Sequence, residues 1–133
     1  MEVRRYCALM HLGGVDGQGH PVDPSSPLAV IRAYGMSFID IPVNPVLNVS
    51  SDDGRSTEQH IADMLAYAQE SAEFYLGFLI ENGQPIPAPR PAACVAIPDE
   101  DKGEIKEELV GLFEVPVRIP KVLYEASSPS KVT

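Results

Sequence analysis

The strongest constraint on this chain is the stretch from 57 to 82, whose pattern is that of an amphipathic helix with one buried face. Ser56 followed three residues later by Gln59 fits a capping box, and Glu58 sets negative charge at the positive end of the helix dipole. Ile61, Leu65, Ala68, Ala72, Leu76 and Leu79, joined by Met64, Tyr75 and Ile80, recur at steps of three and four. One face must therefore pack on a sheet or on another helix. Gln59, Asp63, Glu70 and Glu73 fall on the opposite face, and Asn82-Gly83 before Pro85 supplies the stop.

Three segments ahead of the helix have strand character. Val3–Leu12 alternates imperfectly, Tyr34–Ile41 alternates better and ends at Pro42, and Val46–Ser50 closes on the turn-forming Ser51-Asp52-Asp53-Gly54. Between the first two lies a glycine- and proline-rich run with little that could pack, read as a flexible insertion at about 13–33. Leu28–Arg32 is apolar enough either to start the second strand early or to form a strand of its own, and both readings stand.

After the helix, alternating prolines from Pro85 to Pro91 force an extended or polyproline II path, as a stiff linker or a wrapping segment. Asp99–Leu112 reads as a short second helix with an acidic first turn, weakened by Gly103. Phe113, Val115, Val117 and Ile119 then alternate as in a half-buried strand. Pro116 places that strand at an edge, since it cannot donate to a ladder. The predicted class is α+β: a three- or four-stranded antiparallel sheet packed by one long helix, plus a short C-terminal helix and strand. The predicted division is a core domain over 1–91 and an extension over 92–133 with a frayed tail.

With 133 residues and 44% hydrophobic content, the chain is long enough for one core. It holds no apolar run of membrane-spanning length, and its first residues are too polar for a signal peptide, so a cytoplasmic protein is expected. Cys7 and Cys94 are far apart and belong to no Cys/His cluster, which predicts two free thiols. The net charge of −9 is uneven: residues 1–55 contribute −2, and 56–133 contribute −7. Such a surface repels phosphate backbones and attracts basic proteins.

The residues carry little that points to catalysis. The glycines at 13, 14, 17 and 19 do not lead into a helix as a dinucleotide loop would, and His11, His20 and His60 share no metal-ligand spacing. The order of three strands and a helix is similar to the ribonuclease H fold, whose metal chemistry needs an acidic residue inside the first strand. Residues 3–12 contain none, and Asp40 alone cannot hold two magnesium ions. No enzymatic activity, cofactor or metal is expected.

Four stretches together resemble the HicB-type antitoxins. These are Arg5-Tyr6-Cys7-Ala8-Leu9-Met10-His11, Tyr34-Gly35-Met36-Ser37-Phe38-Ile39-Asp40-Ile41-Pro42, the helix Ser56–Glu81, and Glu81-Asn82-Gly83-Gln84-Pro85-Ile86-Pro87-Ala88-Pro89. The last is the most specific, since the family ends its long helix in an acidic-x-Gly-x-x-Ile-Pro-x-Pro pattern, and Phe113–Pro120 resembles the family's valine-rich strand. The resemblance implies a partial ribonuclease H-like domain without catalytic function that binds and neutralises a small basic HicA-type toxin, an mRNA-cleaving protein. An orphan module of the same fold that oligomerises or binds another protein is the alternative.

The chain departs from the family at Pro42-Val43-Asn44-Pro45, where a Pro-Gly-Cys-type turn is usual, and in its insertion. Val117–Ala126 is similar at most to the first strand of the ribbon-helix-helix domain that many members append, so DNA binding by this chain alone is not expected. Sheet edges in so small a domain predict a homodimer or higher homo-oligomer, with the Pro116 strand as a contributor. For the basic partner, the predicted contacts are the carboxylates off the apolar stripe, Asp63, Glu70 and Glu73, and the densest acidic run, Asp99, Glu100, Asp101, Glu104, Glu107 and Glu108.

Overall fold

The computed structural model describes residues 2–92 and 107–119. Within them the elements run β1 (Glu2–Val15), β2 (Pro21–Val22), β3 (Ile31–Phe38), β4 (Val46–Ser50), α1 (Thr57–Glu81) and β5 (Glu107–Ile119). All pairings are antiparallel, and one long helix lies on one face of the sheet, so the α+β class holds. Along one side β1 pairs with β3, from Ala8↔Phe38 to Val15↔Ile31, and β3 pairs in turn with β4. Along the other side it pairs with β5 from Glu2↔Ile119 to Gly13↔Glu107, and then with β2 at Gly14 and Val15.

Tyr6, Ala8 and Met10 of β1 point to the helix and are buried with Tyr34, Met36, Phe38, Val115, Val117 and Ile119. Cys7 and Leu9, on the other face, are buried as well. This double burial is why the first strand does not alternate cleanly, because a strand covered on both faces is apolar at every position.

The run from 13 to 33 is not a featureless loop. Gly13–Val15 extend β1, Ile31–Ala33 begin β3, and Pro21–Val22 fold back as β2. Leu28–Arg32 therefore splits, with its last two residues starting the second long strand early. The connecting turn is held by Asp16, whose carboxylate accepts the N–H groups of Gln18 and His20, and by Gly19 at φ 84°. Gly14 is required by close approach: a Cβ there would lie 2.9 Å from the Pro24 Cα and the Val22 carbonyl oxygen.

The helix begins and ends as its sequence predicts. Ser56 Oγ accepts from Gln59 N at 3.1 Å, and Gln59 Oε1 accepts from Ser56 N at 2.8 Å, completing the capping box. At the far end Gly83 adopts φ 67°, Gly83 N donates to Ile80 O, and Gln84 N donates to Leu79 O, a Schellman closure. The buried line is His60, Met64, Ala68, Ala72, Leu76, Leu79 and Ile80. From Ala68 onward it follows the predicted stripe, but in the first two turns His60 and Met64 face inward while Ile61 and Leu65 flank the core half-buried. A histidine takes the inner place because its Nε2 meets Asp53 at 2.9 Å and its Nδ1 lies 3.4 Å from the Tyr34 hydroxyl, so its burial leaves no ring nitrogen unpaired.

Residues 107–112, expected to end a helix, are strand; the rest of that predicted helix, through 106, lies outside the described residues. Glu107–Leu112 belongs to β5 because it continues the ladder to Gly13 of β1, past a bulge at Val110 between Met10↔Gly111 and His11↔Leu109. Backbone pairing and the cover given by Val110 and Phe113 outweigh a weak local helix signal. β5, expected in an extension, is thus integral to the core.

Leu76→Ala, at a fully buried position on the helix, is expected to lower unfolding free energy by roughly 2–5 kcal/mol. Leu65→Ala should cost less because that side chain is only half-buried. Urea denaturation of both variants checks the order, and equal losses would contradict the inner line described.

Candidate functional site

The outer side of α1 is where sequence and structure place the exposed chemistry, and its carboxylates have different occupations. Helix Thr57–Glu81 carries Glu58, Asp63, Glu70, Glu73 and Glu81 and contains no Lys or Arg. Asp63 pairs with Arg55 at 2.8 Å. Glu73 receives the Arg118 guanidinium in two contacts, at 2.8 and 3.0 Å, and the Arg118 backbone N–H at 2.9 Å. Those bonds hold its carboxyl below the usual glutamate range, against the opposing effect of burial. Glu58, Glu70 and Glu81 are exposed and take part in no ion pair among the described residues.

Glu73 has a structural task that its spacing on the helix conceals. One turn earlier, Gln69 donates its amide to Pro116 O at 2.9 Å, so Gln69 and Glu73 together satisfy outward-facing backbone groups of β5. Pro116 stands at the edge as its missing N–H requires, and the helix seals that part of the edge. At Pro116 and Arg118 the outward carbonyl and N–H are already bonded within the chain.

The acidic run does not join the helix carboxylates. Glu108 is exposed in β5 and Glu107 begins that strand, whereas Asp99, Glu100, Asp101 and Glu104 lie outside the described residues. Glu108 is ten positions along β5 from Arg118, which at strand rise is roughly 30 Å from the Glu73 contact. Of the predicted helix carboxylates, Glu70 alone takes part in no ion pair among the described residues.

Tyr67, Phe74 and Phe78 escaped the sequence reading. They are 42%, 81% and 54% exposed, respectively, and stand on the helix opposite its buried line. With Ser71 they follow a spacing of four, three and four, a second helical row visible in the sequence but hidden by the stronger inner stripe.

The proline segment wraps rather than links. The Tyr6 hydroxyl donates to Pro87 O on the helix side, the Cys7 thiol lies 3.6 Å from Arg90 O on the far side, and Ile86 packs on the core. The strap therefore passes from one sheet face to the other beside the start of β1, on the side where that strand has no β3 partner. Asp40 anchors it by accepting the Arg90 backbone N–H at 2.9 Å and Nε at 2.7 Å. The one carboxylate weighed for metal chemistry is thus bonded to arginine, and burial pushes the Cys7 thiol up from its ordinary pKa.

Among the described residues, no group of three or more His, Cys, Asp or Glu is placed to hold a metal ion, and no helix is long and apolar enough to cross a membrane. Set against family models, curated proteins and solved structures, the chain matches none.

Because the folded state lowers the Glu73 pKa, the stability that this carboxylate adds is present above the usual glutamate range of about 4 to 5 and lost as pH falls through the lowered value. Glu73→Gln is expected to lower the melting temperature at neutral pH and to soften its decline below about pH 5. Parallel melting curves for both proteins across acid pH would expose an error in the assignment of this contact.

Proposed function

We propose that this chain is a non-catalytic HicB-like antitoxin that binds and neutralises a small basic HicA-type toxin in the cytoplasm. The observation that carries the reading is that, among the described residues, the carboxylates of α1 outside any ion pair are Glu58, Glu70 and Glu81, all exposed, on a helix without Lys or Arg. Such a surface attracts a basic protein at an enhanced rate and repels the RNA on which that toxin would act. Inhibition follows if the anionic face covers the toxin's own RNA-binding surface.

The motif that gave the resemblance also has physical work in the fold. Within Glu81–Pro89, Gly83 closes the helix, Ile86 packs on the core, and Pro87 O receives the Tyr6 hydroxyl, itself part of the first motif stretch. Residues from separate parts of the resemblance are thereby in contact.

Co-expression with a small basic HicA-type protein encoded beside this chain is expected to yield a stable complex and to stop the mRNA cleavage that the toxin causes alone. Replacing Glu58, Glu70 and Glu81 together by lysine should slow association roughly tenfold or more at low salt and flatten its salt dependence, because rim charges act mainly on the on-rate within a Debye length of about 8 Å at physiological salt. Unchanged kinetics would remove the helix from the contact, and an unrestrained toxin in the presence of the wild-type chain would end the antitoxin reading.

A further inference from the structure

The antitoxin reading supplies a basic protein as partner; the aromatic row on α1 indicates how such a partner would be held. Phe74 is the most exposed large hydrophobic side chain among the described residues, and Phe78 follows one turn later. Fully covered aromatic side chains bury about 150–250 Å² each, so leaving this row in water forfeits a large apolar contribution. The core makes no use of it, since α1 meets the sheet through the line from His60 to Ile80 on its other side.

The spacing specifies the shape of an occupant. Tyr67, Ser71, Phe74 and Phe78, at steps of four, three and four, are the seam of a helix that pairs lengthwise with another helix at a shallow crossing angle. Ser71 is the small position, letting the partner's backbone approach between the aromatic rings.

Charge decides what that second helix is. Glu70 stands one residue from Ser71, Glu81 continues the row one step past Phe78, and both are exposed carboxylates without an ion-pair partner among the described residues. Two copies of α1 paired through this seam would bring four such carboxylates together with no Lys or Arg on either helix. We infer that the Tyr67–Ser71–Phe74–Phe78 row of α1 is a docking seam for an amphipathic helix of a basic partner protein, one with aliphatic side chains along its ridge and Lys or Arg on its flanks. The aliphatic ridge covers the rings, and the cations meet Glu70 and Glu81 or lie over the face of Phe74.

This inference rests on the partner being a basic protein, and a synthetic helix tests the seam without the toxin. The probe is a fluorescent peptide of leucine-seam heptads with lysine flanks, titrated with the full chain; a sibling peptide carries glutamate in place of every lysine. The lysine peptide should bind and the glutamate peptide should not. Phe74→Ala with Phe78→Ala should weaken binding roughly tenfold or more while leaving the melting temperature near that of the parent, since both rings are exposed. Glu70→Lys should weaken binding and reduce its salt dependence. Equal binding of the two peptides, or an affinity indifferent to loss of both rings, overturns the seam. So does a wild-type dimer that Phe74→Asp dissociates, which would give the row to a second copy. A chain that binds the lysine peptide yet leaves the toxin active keeps the seam and loses the antitoxin reading; toxin silencing that is unaffected by the double alanine variant does the reverse.

Discussion

The burial of β1 on both faces and its pairing along both edges is the constraint from which the other elements take their places. Its middle, Tyr6 to Met10, is inaccessible or nearly so. A strand in that position needs cover on two faces, and among the described residues one long helix provides it on one of them. The helix covers Tyr6, Ala8 and Met10, while the proline strap crosses beside the start of the strand and reaches Cys7 on the far face. Alternating prolines suit that task because their restricted φ lowers the entropy lost in fixing an extended segment. The Asp40–Arg90 contact then holds the strap at the side where β1 has no β3 partner.

Sheet edges set the second constraint. β5 contributes Val115, Val117 and Ile119 to the core yet presents a row of backbone groups outward. At Pro116 and Arg118 those groups are met by Gln69 and Glu73, one helical turn apart on α1. A helix that lies over a sheet commonly covers its face; here two side chains also reach over the edge. This explains why a carboxylate off the apolar stripe need not be functional: solvent-facing position on a helical wheel does not distinguish a free charge from one that bonds the neighbouring strand.

The helix limits, the β4 segment and the edge position of the Pro116 strand were legible because each rests on local chemistry: a capping box, a left-handed glycine, a turn cluster, a missing N–H. What was hidden depended on distant residues. His60 looks like a surface histidine until Asp53 and Tyr34 are brought to its ring. Glu107–Leu112 looks helical until β1 offers twelve residues of ladder to β5. Gly14 looks like part of a loose loop until Pro24 crosses 2.9 Å from where its side chain would be. The candidate surface was legible in sign but not in detail, because Glu73 and Asp63 resemble Glu70 in sequence and differ only in having an arginine within reach.

What distinguishes the outer face of α1 is that its two kinds of exposed group suit different stages of one encounter. Free carboxylates act at distances of a Debye length, raising the frequency of productive approach, and contribute little once solvent and salt screen them. Exposed aromatic rings do nothing at a distance and act only after water is expelled, where they slow dissociation. Glu58, Glu70 and Glu81 are spread along the helix, whereas Phe74 and Phe78 are concentrated in adjacent turns. Glu70 and Glu81 beside the two rings suit the proposed protein-binding role, in which a polar rim borders an apolar centre, and that role needs no cleft. A purely solvated face, by contrast, has no reason to expose Phe74 at 81% between glutamates. The rings, not the charges, are therefore what separates the interaction reading of this helix from the simpler one in which its acidity only keeps the protein in solution.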